Sequence, residues 1–396
     1  MKIGVYGGTF NPPHLGHLTA ARAVFNLLEL DKLLLIPANL PPHKDLPEES
    51  ATAAQRFEMT RLAGEHLGLG DRVETLDIEL LRTGKSYTSD TLEELHQHYP
   101  EAELWLLMGT DMFLTFEEWH EPARILELAG LAAFGRTEDP TTELLSAQRE
   151  TLQRRYPQAK LVTLTNPEVI ETSSTDLRDS LASGQGQSTL PLPVYGYILR
   201  EGLYGTAADL KQLSLDELRP IALSYLKHKR IPHVLGTERE AMRLAERYGA
   251  EVEAARRAAL LHDCTKKLSL DEQLTLCQRL GVVPDEVERV TLKLLHAKTG
   301  AALARQVFGV DDAVYNAILW HTTGRPDMTT LEKVLYLADF IEPNRDFDGV
   351  EDLRAACRES LDAGMRMGLA MTIEEMAGEG HIVHQNTIRA LDFLKG

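Results

Sequence analysis

The feature that most restricts what this chain can become is a change of periodicity part-way along it. From Met1 to about Tyr204 short apolar runs alternate with helical patterns. Beyond a polar connection, Gly205 to Ser214, the runs stop and only helical periodicity remains. In the first stretch Ile3–Tyr6, Lys32–Pro37, Leu104–Gly109, Leu131–Gly135 and Lys160–Thr165 read as strands, and Thr52–His66, Ser89–His98 and Leu144–Tyr156 as helices. This alternation predicts an α/β domain: a doubly wound parallel sheet with helices on both faces, whose ligands bind beyond the carboxyl ends of the strands where the strand order reverses. In the second stretch Leu215–Lys227, Val234–Tyr248, Val252–Leu261, Asp285–Leu295, Val310–Leu319, Leu331–Ile341 and Asp352–Met376 favour helix, which predicts a separate all-α domain. A chain of 396 residues is long for one core, so two domains are expected, at 1–205 and 211–396.

Hydrophobic and charged contents are ordinary for a globular protein, so the informative quantity is the formal charge of −18. Its field repels nucleic acid and anionic membranes and excludes non-specific binding to either. If such a protein handles nucleotides, it must build positive potential locally. The three cysteines, Cys264, Cys277 and Cys357, show neither Cys-x-x-Cys spacing nor an even framework, and read as small buried hydrophobes in a reducing compartment. The amino terminus enters a strand after Lys2 without a long apolar stretch, and no apolar run reaches membrane-spanning length. A cytoplasmic protein without nucleic-acid or membrane partners is expected, with homo-oligomerisation left open.

Between the first strand and the first helix lies Gly7-Gly8-Thr9-Phe10-Asn11-Pro12-Pro13-His14-Leu15-Gly16-His17. Glycines let backbone approach a phosphate, and the unpaired N–H groups and positive dipole end of a helix bind its charge. His14 and His17 fall on one face at that helix start and point to the same anion. Neither a dinucleotide fingerprint nor a Gly-Lys-Ser/Thr loop is present, and each histidine alone would read as a cap.

The whole string, however, resembles the His-x-Gly-His signature of the nucleotidyltransferase superfamily, and in particular its nicotinate-nucleotide adenylyltransferase branch. Four further segments carry the resemblance: Pro41-Pro42-His43-Lys44; Tyr87-Thr88 within Lys85–Leu92; Gly109-Thr110-Asp111 with Trp119; and Ser173-Ser174-Thr175-Asp176-Leu177-Arg178. Arg136 matches the family's arginine beside the substrate phosphate, with Thr137 in place of the usual proline. The resemblance implies a Rossmann-like nucleotidyltransferase fold. It implies ATP binding by Gly7, Gly8, Thr9, Phe10, His14, His17, Ser173, Ser174, Thr175 and Arg178. Nicotinate mononucleotide would be bound by Lys44, Tyr87, Thr88, Gly109, Asp111, Trp119 and Arg136. His14, His17, Lys44 and Arg178 would stabilise the reacting phosphates, with Mg²⁺ arriving on ATP. Nicotinamide mononucleotide and pantetheine phosphate are the alternative acceptors.

In the second stretch chemistry is spread over the helices as His233, His262-Asp263, His296, His321 and Asp339. Imidazoles and carboxylates without cysteine suit Fe, Mn, Co or Mg better than a structural zinc. The order His, His-Asp, Asp resembles the HD-superfamily phosphohydrolases. Together with Lys229-Arg230-Ile231-Pro232, Thr265-Lys266, Trp320-His321-Thr322 and Glu342-Pro343-Asn344-Arg345 it resembles the bacterial symmetrical diadenosine tetraphosphate hydrolases. That resemblance implies an all-α HD domain in which His233, His262, Asp263 and Asp339 hold a metal that activates water, Asp263 and Lys266 being catalytic. His296 and His321 would bind a second metal or face phosphate, and Arg230, Lys266, Thr322 and Arg345 would contact polyphosphate. The expected protein is bifunctional, with ATP, nicotinate mononucleotide and diadenosine tetraphosphate as ligands. The rival makes the HD half a nucleotide-sensing regulatory module.

Overall fold

The computed structural model describes residues 1–39, 50–135, 139–165 and 173–395, residues 139 and 140 by backbone alone. It divides into two compact units, Met1–Ala207 and Ala208–Gly396. No helix among the described residues is long and apolar enough to cross a membrane.

The first unit runs β1 Lys2–Gly8, α1 Leu15–Leu27, β2 Lys32–Pro37, α2 Ala53–His66, β3 Val73–Thr75, α3 Thr88–His98, β4 Glu103–Gly109, α4 Thr110–Leu114, α5 Pro122–Leu128, β5 Ala129–Gly135, α6 Asp139–Arg155, β6 Leu161–Thr165, α7 Ser174–Ala182 and α8 Leu192–Glu201. The six strands form one sheet in the order β3-β2-β1-β4-β5-β6, with every pairing parallel. Strand alternation gives each face its own core. Tyr6, Leu33, Leu35 and Leu107 meet Leu18, Val24 and Phe25 of α1 and Met59 and Leu62 of α2 on one side. Ile3, Val5, Leu34, Ile36, Leu104 and Leu106 meet Leu92 and Leu95 of α3 and Leu145 and Leu152 of α6 on the other. The chain turns from winding one way to winding the other between β1 and β4, and the crevice above that junction is where a ligand belongs.

Sequence periodicity missed β3, three residues at the sheet edge, and started α6 five residues late. Pro140 argues against a helix interior but is tolerated in a first turn, where its missing N–H costs nothing. Helix α3 begins at Thr88, one residue before the expected start, with Tyr87 as its N-cap residue and no side-chain cap bond.

The second unit contains α9 Leu215–Ser224, α10 Ile231–Tyr248, α11 Val252–Leu261, α12 Leu270–Leu280, α13 Leu292–Phe308, α14 Asp312–Trp320, α15 Thr330–Ile341, α16 Val350–Glu359, α17 Leu361–Gly378 and α18 Gln385–Lys395. Helix α12, with its Ser269/Glu272 capping box, was unforeseen, as was α18. The segment read as helical over 285–295 is instead a short 3-10 turn, Glu288–Val290, followed by extended Thr291 before α13. Asp285 Oδ1 accepts from the N–H groups of Val287 and Glu288 at 2.9 Å and caps that turn. The stretch 352–376 is two helices, broken at Ser360, whose hydroxyl caps Ala363 N–H at 3.0 Å.

Candidate functional sites

In the first unit a cavity of about 540 Å³ opens at the carboxyl ends of β1 and β4. Its floor is the turn after β1. Gly7 faces open space where a side chain would intrude, and a Cβ on Gly8 would lie 3.2 Å from the ring of Phe10. Phe10 itself takes a left-handed backbone angle (φ 48°) and is buried against Tyr6 and His17, so it shapes the turn from behind and does not line the cavity. His14 is the N-cap residue of α1. Its N–H donates to His17 Nδ1 at 3.2 Å, and the two rings lie 3.7 Å apart. Burial lowers the pKa of His14 to about 4, and burial together with His14 holds that of His17 well below the ordinary imidazole value. Both rings are therefore neutral near pH 7.

Of the residues read as nucleotide ligands, Gly7, Gly8, Thr9, His14, His17, Tyr87, Thr88, Gly109, Asp111, Trp119, Ser173 and Ser174 line this cavity. Asp111 sits in the first turn of α4, two residues past the strand end. Tyr87 packs on His120, centroids 4.2 Å apart, and Trp119 on Phe116 at 5.6 Å. Lys44 and Arg136 lie outside the described residues. Arg178 and Thr175 are not on the cavity wall: Arg178 donates to Thr175 Oγ1 at 3.2 Å and to the Asn11 carbonyl at 2.8 Å. The Ser173 hydroxyl, read as a phosphate ligand, accepts from Asp176 N–H at 3.0 Å as the cap of α7.

What the sequence did not reveal is how the turn is held. Arg56 of α2, 1% exposed, donates to the carbonyls of Thr9 (2.9 Å), Ala38 (2.5 Å) and Asn39 (3.2 Å), tying the ends of β1 and β2 together. Asn11 Oδ1 accepts from Tyr204 OH at 2.7 Å and from Ala51 N–H at 3.3 Å. Ser174 Oγ reaches the Pro12 carbonyl at 3.3 Å. A buried arginine in a helix surrounded by charged neighbours carries no distinguishing sequence signal.

In the second unit the six scattered residues meet. His262 is wholly buried at the end of α11 and donates from Nδ1 to the Ala259 carbonyl at 2.6 Å; His321, after α14, does the same to Ile318 at 2.6 Å. His233 on α10 donates from Nδ1 to Glu342 at 3.1 Å. Each ring therefore turns an Nε2 lone pair inward. His233 Nε2 lies 2.8 Å from Asp339 Oδ1, His262 Nε2 3.3 Å from Asp263 Oδ2, and His296 Nε2 3.2 Å from Asp263 Oδ1 and 3.1 Å from His321 Nε2. His233, His262 and Asp339 offer atoms within 4.8 Å of one another, as do His262, Asp263 and His321. Buried His262 Nε2 has no hydrogen-bond partner among the described residues. Converging lone pairs with an orphaned buried nitrogen suit a bound cation. Burial works to raise the carboxyls of Asp263 and Asp339, but His262 and His296 beside the first, and His233 beside the second, hold both well below the ordinary range.

The basic residues expected on polyphosphate are engaged by these same carboxylates. Arg230 pairs with Asp263, Lys266 reaches Asp263 Oδ1 at 3.2 Å, and Arg345 reaches Asp339 Oδ1 at 2.8 Å. Thr322 follows His321 directly and is half-buried. Glu342 was quoted in the motif without a role; it is 1% exposed and orients His233.

Comparison with known proteins agrees with both halves. Residues 5–180 match the cytidylyltransferase-like family and residues 230–344 the HD domain. The chain is 37% identical over 215 residues to a probable nicotinate-nucleotide adenylyltransferase of Shewanella sp. (strain ANA-3), covering 52% of this chain and 99% of that one. Through its first half, this chain belongs to the nicotinate-nucleotide adenylyltransferase family. A second member of that family, a probable nicotinate-nucleotide adenylyltransferase of Carboxydothermus hydrogenoformans, is 37% identical over 204 residues, 51% of this chain and 98% of its own. The chain is also similar, at 40% identity over 46% of its length and 98% of the other chain and with a TM-score of 0.45, to the crystal structure of a predicted HD superfamily hydrolase involved in NAD metabolism from Clostridium acetobutylicum. The match over residues 230–344 places an HD domain after the adenylyltransferase half.

Proposed function

We propose that the first unit transfers AMP from ATP to nicotinate mononucleotide. A phosphate oxygen of the acceptor forms a bond to the α-phosphorus of ATP, the bond to the β-phosphate bridge breaks, and deamido-NAD and pyrophosphate leave. The observation that carries this reading is the cavity at the sheet's switch point, with the His-x-Gly-His turn on one side and the start of α7 on the other. No protein nucleophile is needed, because positioning and charge stabilisation supply most of the catalysis in such transfers. His14 and His17 enter neutral and donate hydrogen bonds to phosphate, and a bound polyanion raises their affinity for protons. Mg²⁺ accompanies ATP. Lys44 and Arg136 are proposed to add cations at the acceptor phosphate. Pyrophosphate release with nicotinate mononucleotide, nicotinamide mononucleotide and pantetheine phosphate as acceptors tests the reading: the first should be preferred, and preference for either of the others would replace it.

We propose further that the second unit hydrolyses phosphoanhydrides, with diadenosine tetraphosphate cleaved symmetrically to ADP. His233, His262, Asp263 and Asp339 would hold a divalent cation, Fe, Mn, Co or Mg, with His296 and His321 at its side. Such a cation supplies Lewis acidity and a water of lowered pKa. Glu342 and the carbonyls of Ala259 and Ile318 fix the three ring orientations, while Arg230, Lys266 and Arg345 balance the carboxylate charge and stand beside the place a polyphosphate would occupy. The test is ADP release from diadenosine tetraphosphate with Mn²⁺ or Fe²⁺. Unsymmetrical products, or none from a metal-loaded protein, would reject the substrate assignment.

A further inference from the structure

One carboxyl group on the first unit's cavity wall has no part in the chemistry above. Glu79 is 8% exposed and lines the cavity at the end carrying Tyr87, Thr88, Trp119 and His120. Its Oε1 lies 2.8 Å from Thr91 Oγ1, that hydroxyl lies 3.3 Å from the Tyr87 carbonyl, and Arg82 Nη1 donates to it at 2.7 Å. The Ser86 hydroxyl donates to the Glu79 carbonyl at 3.4 Å. The Glu79 side chain therefore faces the acceptor end and bonds to Thr91 in the first turn of α3, while its main-chain carbonyl holds Ser86.

We propose that Glu79 sets the preference of this site for the charge on the acceptor's ring substituent, favouring a carboxylate when protonated and rejecting it when ionised; this rests on the acceptor reading given above. The protonated acid completes the network without a surplus donor. Glu79 O–H and Arg82 Nη1 both donate to Thr91 Oγ1, and Thr91 donates to Tyr87. Loss of the proton turns the Thr91 hydroxyl to Glu79 and leaves a fixed negative charge on the wall. A nicotinate carboxylate meets that charge as a like charge, whereas a nicotinamide amide does not. Burial raises the Glu79 carboxyl to about 7, opposed by the Thr91 hydrogen bond and by Arg82, so the change falls within the working range. The other charged or titratable groups around it are Glu94, which is 2.5 Å from Arg82, and Tyr87, His120, Asp111, His14 and His17 across the cavity.

The test compares KM for nicotinate mononucleotide in the wild type and in Glu79→Gln from pH 6 to 8.5. It is run beside the inhibition constant of nicotinamide mononucleotide as a competitor with the wild type. Acceptor phosphate and active-site histidines titrate alike in both proteins and with both ligands, so they cancel. The wild-type ratio of KM for the carboxylate acceptor to the inhibition constant of the amide should rise roughly fivefold to tenfold across the range, the scale of one like-charge contact in a partly wet pocket. The amide's constant should follow only the shared titrations, and Glu79→Gln should lose the rise. A flat wild-type ratio, with equal slopes for acid and amide, or a rise that survives in Glu79→Gln overturns the proposal while leaving the acceptor reading intact. Failure to form deamido-NAD at any pH overturns that reading instead. Should the variant not fold, the two wild-type profiles decide alone.

Discussion

At the scale of single residues the two sites use histidine in different ways. In the first unit His14 and His17 pack ring to ring, burial keeps both neutral and His14 further depresses the proton affinity of His17; in the second, three rings are each pinned through Nδ1 so that Nε2 turns inward. Replacing His17 by alanine should lower kcat for adenylyl transfer by roughly 10²–10³, the usual effect of losing one preorganised donor. Steady-state kinetics on the folded variant check it, and near-normal turnover would remove His17 from the machinery. The second site rests on Gly236, where helix α10 runs so close to Glu342 that an added Cβ would lie 2.1 Å from Glu342 Oε2. Gly236→Ala should push Glu342 aside, free the His233 ring and weaken metal retention by roughly 10–100-fold, the range for loss of an outer-shell partner. Metal analysis after dialysis against a weak chelator reads this directly, with unchanged adenylyl transfer as the control. Both residues show what sequence could and could not tell. The histidines were legible because paired imidazoles at helical spacing after a Gly-rich turn have few other uses. Gly236 and Glu342 were not, because their meaning is a close approach between two helices far apart in the chain.

At the scale of elements the turn after β1 is only as rigid as what ties it down. Arg56 donates to three carbonyls from two strand ends, and among the described residues no carboxylate pairs with it. Arg56→Met should leave those carbonyls short of donors inside the protein and destabilise the first unit by about 2–5 kcal/mol. Calorimetry should show the first unit's transition falling while the second's stays. An unchanged first transition would mean that the turn is held elsewhere. Periodicity found most of the sheet because buried parallel strands are almost wholly apolar, as β5 is along its entire length. It missed β3 because three residues carry no period, and it merged α16 with α17 because the apolar pattern runs on through Ser360. The resemblance implies a phosphate role for Arg178, whose guanidinium bonds to the Asn11 carbonyl here; sequence shows that a cation is near a site and not what it touches.

At the scale of the molecule an acidic chain carries two sites proposed to handle anions, each with its own answer to the charge problem. The first keeps its imidazoles neutral until a polyanion arrives; the second gathers carboxylates and lone pairs that only a cation satisfies. The first answer has a cost in acid. An unfolded chain takes up a proton on His14 near pH 6.5, which the folded unit refuses until about pH 4. The stability from keeping this group neutral is therefore complete above pH 6.5 and is lost as the pH falls towards 4, on the order of 3 kcal/mol in all. Chemical denaturation of the first unit across that range should show the wild type losing more stability than His14→Asn, with His17 and Glu79 titrating in both.

The central claim is that one chain carries two separate chemistries at two separate sets of histidines. The measurement that tests it most directly is a product chromatogram for the wild type, His17→Ala and Asp263→Ala, each given ATP with nicotinate mononucleotide and, separately, diadenosine tetraphosphate with Mn²⁺. The account predicts that His17→Ala loses deamido-NAD and keeps ADP formation, while Asp263→Ala keeps deamido-NAD and loses ADP. Loss of both products in either folded variant, or of neither, would contradict it.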